Sequence, residues 1–190
     1  MINRRELLNA AAVLAVPGLA GAQSLDARAI SRVLIDERHA PARALGLRLA
    51  AAGRAVHRLS AGALTSVWLD ELEPLWRDHP LPLAGLTESS ALFCLEELTL
   101  RNGGRVVFHA EHVEFANGEL EHAVLRGAET YLSARELRRA GRDWPRVLAQ
   151  VLSVYPESLA RARPGRSVAG LAAELPPGAQ LLSSWILAPA

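Results

Sequence analysis

Between residues 32 and 115, short apolar runs take turns with longer amphipathic ones, and this alternation restricts the fold more than any other feature of the chain. The run Val33-Leu34-Ile35 ends at Asp36. Residues 41–53 follow, rich in helix formers and closed by Gly53, a residue suited to a helix C-terminus. Residues 55–60 alternate like a short strand. Leu64, Val67, Trp68, Leu72, Leu75 and Trp76 then recur at helical spacing, with Pro74 placed to kink or break the helix. "LPLAGL" is another short apolar run. In residues 89–101, Leu92, Phe93, Leu95 and Leu98 form one side of an amphipathic helix that Asn102-Gly103-Gly104 ends, and "RVVFHAEHVEF" reads as a strand.

A β-α-β-α-β-α-β order with strands this short predicts an α/β fold with a mostly parallel sheet covered by helices on both faces. With right-handed crossovers, this is a Rossmann-like or flavodoxin-like three-layer sandwich. The second half departs from the alternation. Asn117-Gly118 stands between two alternating segments, the strongest local hairpin signal, so the sheet gains an antiparallel pair. Ser133 and Glu136 have the spacing of a capping box at the start of a helix that Trp144-Pro145 interrupts. Residues 162–179 are rich in Pro and Gly and read as loop. "QLLSSWIL" (180–187) reads as a strand or short buried segment. Trp68, Trp76, Trp144 and Trp185 read as core or interface anchors.

The first 22 residues are of another kind. Arg4-Arg5 precede an uncharged run from Ala10 to Ala22, shorter than the roughly 20 residues a membrane span needs. Ala20-Gly21-Ala22 gives the small-x-small pattern of a signal peptidase site, with cleavage after Ala22. An ordinary secretory signal accounts for the charge, the apolar run and the cleavage site. Asn3-Arg4-Arg5-Glu6-Leu7-Leu8 also resembles the twin-arginine (Tat) motif, with Leu7 where that motif favours Phe and Asn9 where it favours Lys. The resemblance implies export of a folded protein to the bacterial periplasm by the Tat translocase, with no stable membrane span after cleavage. Residues 23–190 then form a single α/β domain. From "LFCLEEL" to "GRVVFHAEH" the mature part resembles small Tat-signal proteins of proteobacteria with no assigned activity, and that resemblance carries over no functional residue.

Composition removes several classes of function. The chain has 21 basic residues, all Arg, against 20 acidic ones, and loses its net charge with the leader, so nothing draws nucleic acid to it. Mechanisms built on a Schiff-base or P-loop lysine are excluded. A single cysteine, Cys94, rules out an intrachain disulfide and is expected to be a buried, inert thiol.

Ligands in open α/β sheets bind beyond the carboxyl ends of the strands. Asp36, after the first strand, can accept from a ligand hydroxyl or hold a metal, or it can cap the next helix. Arg38 can pair an acidic ligand through its fork. In Gly85-Leu86-Thr87-Glu88-Ser89-Ser90, Gly85 permits a tight turn, while Thr87 and Ser89 cap a helix or face an anion at its start. His109, His112 and His122 are potential metal ligands, but positions 109 and 112 of one strand point to opposite faces, while His112 and His122 can meet across the hairpin. Exposed hairpin histidines are the plainer alternative. No Gly-x-Ser-x-Gly elbow is present, and no serine has an evident base. No motif names a cofactor.

The sequence thus favours an exported periplasmic accessory or ligand-binding protein, working beside a periplasmic protein partner. The alternative is a small periplasmic hydrolase or transferase using Asp36, Thr87 and either His39 or His109 at the strand carboxyl ends. A redox subunit fits folded export, but one cysteine and one methionine give no haem or iron–sulfur motif.

Overall fold

The computed structural model describes residues 30–100, 102–127, 132–154 and 175–189. The expected leader, with Arg4, Arg5 and the expected cleavage after Ala22, and most of the Pro/Gly-rich stretch lie outside the described residues. The first half follows the alternation: β1 (Arg32–Asp36), α1 (Ala40–Ala51), β2 (Val56–Leu59), a broken helix, β3 (Leu83–Thr87), α4 (Ser89–Leu100) and β4 (Gly104–Glu114). The broken helix comprises α2 (Leu64–Val67), one π-helical turn (Trp68–Leu72) and α3 (Glu73–Asp78), with Pro74 in the first turn of α3. There its missing N–H costs no intrahelical bond. Gly53 follows α1 with φ +77°, a left-handed stop that a Cβ would strain. The second half supplies β5 (Leu120–Arg126), α5 (Ala134–Ala140), α6 (Trp144–Val154) and β6 (Gln180–Pro189). Among the described residues no helix is long and apolar enough to cross a membrane.

The sheet has six strands in the order β2-β1-β3-β6-β4-β5. Only β1 with β2 and β1 with β3 pair in parallel; the pairings of β3 with β6, β6 with β4 and β4 with β5 are antiparallel. The expected α/β class holds, and the hairpin at Asn117-Gly118 forms with His112 opposite His122. The expectation of a mostly parallel sheet is overturned by β6. Because β3 and β4 each run antiparallel to β6, they point the same way, as their alternation with helices suggested. β6 lies between them and separates them. Residues 182–188 are buried throughout, as befits a strand covered on both faces, and that places β6 in the sheet interior.

Alternation along the strands feeds two cores. Val33, Ile35, Ala84, Leu86 and Ile186 pack with α1, α5 and α6 through Leu45, Leu137, Trp144 and Leu148. Leu34, Leu83, Trp185 and Leu187 pack on the other face with the broken helix and α4 through Trp68, Leu72, Trp76 and Leu95. All four tryptophans are buried. The amphipathic reading of α4 is corrected in rotation: Leu92, Leu95 and Thr99 face the core, while Phe93 and Leu98 are exposed. Cys94 is exposed with them, against the expected buried thiol.

Candidate functional site

The connection from β1 to β2 runs through α1 on one face of the sheet, and the connection from β2 to β3 through the broken helix on the other. β1 lies between β2 and β3. The carboxyl ends of β1 and β3 therefore meet at a reversal of winding, the place where open α/β sheets take their ligands. Asp36 is the last residue of β1, and Glu88 directly follows β3.

Arg38 grips this corner. Its Nε donates to Asp36 Oδ1 at 2.9 Å, its second amino group lies 2.5 Å from Asp36 Oδ2, and the same amino group lies 3.0 Å from Glu88. Asp36 does not cap α1, whose N-cap is His39; Asp36 Oδ1 instead accepts from the Arg38 backbone N–H at 3.1 Å. Burial pushes the Asp36 carboxyl up. The Arg38 side-chain and backbone hydrogen bonds, then the His39 and Arg38 charges, outweigh this and hold it below its ordinary value. The fork of Arg38, expected to await an acidic ligand, is engaged with the protein's own carboxylates.

His39 completes the corner. It is 8 % exposed, and neither ring nitrogen makes a hydrogen bond. Its Nε2 lies 3.4 Å from Glu88 Oε1 and 3.7 Å from Asp36 Oδ2. A tetrahedral ion with bonds of about 2.1 Å sets its ligands about 3.4 Å apart. Asp36, His39 and Glu88 thus stand at the spacing of three metal ligands, all their ligand atoms within 4.8 Å of one another. Two carboxylates and an imidazole suit a divalent first-row ion. Sequence reading singled out Asp36 and Arg38, but gave Glu88 no role; the signal was a carboxylate at the carboxyl end of each of two neighbouring strands.

Gly85 and Thr87 take structural places. Gly85 lies in the middle of β3, not in a turn, and a Cβ on it would collide with the Trp185 indole and stand 2.8 Å from Leu34 O. Thr87 is fully buried; its Oγ1 accepts from Trp185 Nε1 at 3.0 Å and donates to Glu88 O. Ser89 opens α4, and its Oγ lies 2.8 Å from Ser183 Oγ.

The three histidines do not converge. His112 and His122 face each other with Nδ1 to Nδ1 at 2.8 Å, a spacing for a shared proton and not for a shared metal. His112 Nε2 lies 2.8 Å from Ser184 Oγ, and its ring stacks on Trp144 at 4.1 Å. Both are 3 % exposed, so they are core groups and not exposed hairpin side chains. Burial drives the His112 pKa well down, with the His122 and His109 charges adding to it; burial and then Arg138 bring His122 to about 4. His109 faces the opposite side of the sheet, where its Nε2 stands 3.4 Å from Ser183 Oγ. Neighbouring serines of β6 thus serve opposite faces, and neither was singled out in the sequence.

Comparison of the chain with protein-family models, with curated proteins and with solved structures finds no match.

Proposed function

We propose that this chain is an exported α/β ligand-binding protein of the periplasm, and that its ligand is a divalent first-row metal ion taken between Asp36, His39 and Glu88. The observation that carries the reading is His39: a buried imidazole without a hydrogen bond, 3.4 Å and 3.7 Å from two carboxylates. The β2-β1-β3 order supports it. Open α/β sheets bind ligands at strand carboxyl ends where the winding reverses, and Asp36 and Glu88 stand at such a place. Arg38 is the cation with which a metal would compete. It neutralises both carboxylates and, being 45 % exposed, has room to swing outward when a metal arrives.

Calorimetric titration of the purified mature chain with Zn²⁺ and Mn²⁺ tests this. One equivalent is expected to bind. His39→Ala and Glu88→Gln lose binding, whereas Arg38→Ala, which removes the competing guanidinium, tightens it. Failure of the wild-type chain to bind either ion at submillimolar concentration rejects the reading. Export has its own test: Arg4→Lys with Arg5→Lys is expected to keep the uncut chain out of the periplasmic fraction, while the wild-type protein there begins at Gln23.

A further inference from the structure

We propose a second site, on the opposite side of α4 from the metal corner: Ser89, Ser183 and His109 form a hydroxyl relay that makes Ser89 a nucleophile towards small carboxylic esters. Ser89 Oγ and Ser183 Oγ are 2.8 Å apart, and Ser183 Oγ is 3.4 Å from His109 Nε2. With Nε2 unprotonated, Ser89 donates to Ser183 and Ser183 donates to the imidazole. Ser183 is fully buried and can only pass a proton on, whereas Ser89 is part-exposed. Ser89 and His109 both line a groove of about 220 Å³ between α4 and the β4–β5 hairpin. Leu92, Phe93 and Leu125 give it an apolar wall, and Arg126 and Glu96 bring one charge of each sign to its lining. That volume is below the roughly 300–1,000 Å³ of sites for larger ligands, so it fits a short acyl chain.

The electrostatics suit a base. Burial and then the Arg126 charge lower the His109 pKa, so the imidazole is neutral at pH 7 and free to accept. Ser89 also opens α4, and the positive end of the helix dipole favours a developing oxyanion.

The chemistry balances with water as the second reactant. Ser89 Oγ bonds to the ester carbonyl carbon as its proton moves to Ser183 and the Ser183 proton moves to His109. The C–O bond to the alcohol breaks, and the alcohol leaves with the proton from His109. Water, deprotonated through the same relay, then attacks the acyl-serine, releases the carboxylic acid and returns the proton to Ser89.

The test is reaction of the mature protein with a fluorophosphonate, read by intact mass and peptide mapping, beside turnover of p-nitrophenyl butyrate. One adduct at Ser89 is expected. Ser89→Ala abolishes it, and His109→Gln and Ser183→Ala slow both reactions roughly a hundredfold. Ser90→Ala, at the exposed neighbouring position, changes neither. Circular dichroism checks each variant, and if Ser183→Ala does not fold, His109→Gln decides. A chelator leaves both reactions unaltered, which separates this site from the metal corner. An unlabelled wild-type protein, an adduct elsewhere, or labelling indifferent to His109→Gln overturns the proposal.

Discussion

At the scale of single residues, Gly85 and Thr87 show how a residue can be conspicuous for the wrong reason. Gly85 lies in the middle of β3 and Thr87 ends it, and both answer to Trp185, which is 98 positions on from Thr87. The indole needs a flat strand beside it and an acceptor for its N–H. Gly85→Ala forces a methyl against the ring and the Leu34 carbonyl. We expect a loss of about 1–3 kcal/mol in urea denaturation. Thr87→Val keeps the shape and removes the acceptor, leaving a buried N–H unpaired; the same measurement is expected to show a loss of about 1–3 kcal/mol. Residue types can be read from a sequence, but the distant partner that gives them meaning cannot. Asp36 was legible because its position at the end of an apolar run is local information. His39 and Glu88 meet only once β1 and β3 lie side by side.

At the scale of elements, legibility follows the range of the forces involved. The capping box at Ser133 was readable because both halves lie within one turn: Ser133 Oγ accepts from Glu136 N at 3.2 Å, and Glu136 Oε2 accepts from Ser133 N at 2.8 Å. Ser133→Ala should cost about 1 kcal/mol by thermal or urea unfolding. The rotation of α4 was less legible. Its apolar residues outnumber the places facing the core, and Thr99 takes one of those places by donating its hydroxyl to Leu95 O at 2.8 Å. Phe93, Leu98 and Cys94 are left outside. Cys94 is therefore expected to react fully and quickly with a thiol reagent on the native protein, without denaturant. A slow reaction that accelerates on unfolding would contradict the exposed placement. β6 was visible as an apolar segment, but its place between β3 and β4 depends on pairings that no local pattern encodes.

At the scale of the whole molecule, the buried histidines tie stability to pH. An unfolded imidazole takes up a proton near its ordinary pKa of 6.5, whereas His122 in the fold does so near 4 and burial holds His112 well below 6.5. Between these values the unfolded chain binds more protons, so stability falls as the pH drops from about 6.5 towards 4 and is complete above 6.5. For His122 alone the contribution is about 3 kcal/mol, or roughly 6–12 °C in Tm. Thermal melts from pH 7.5 to 4.5 are expected to show this decline. It should be shallower in His122→Phe, which has no such proton to gain. A flat profile in the wild type would contradict the buried pair.

The interior position of β6 bears on the order of events during synthesis. A chain leaves the ribosome from its N-terminus. The β1–β3 half and the β4–β5 hairpin are both made before residues 180–189, the strand that pairs with both β3 and β4. Until they arrive, β3 and β4 each present an unpaired edge of the kind that recruits strands from other chains. The newborn protein thus passes through an interval in which two incomplete sheets await a late-made strand, and its risk of clumping is concentrated in that interval.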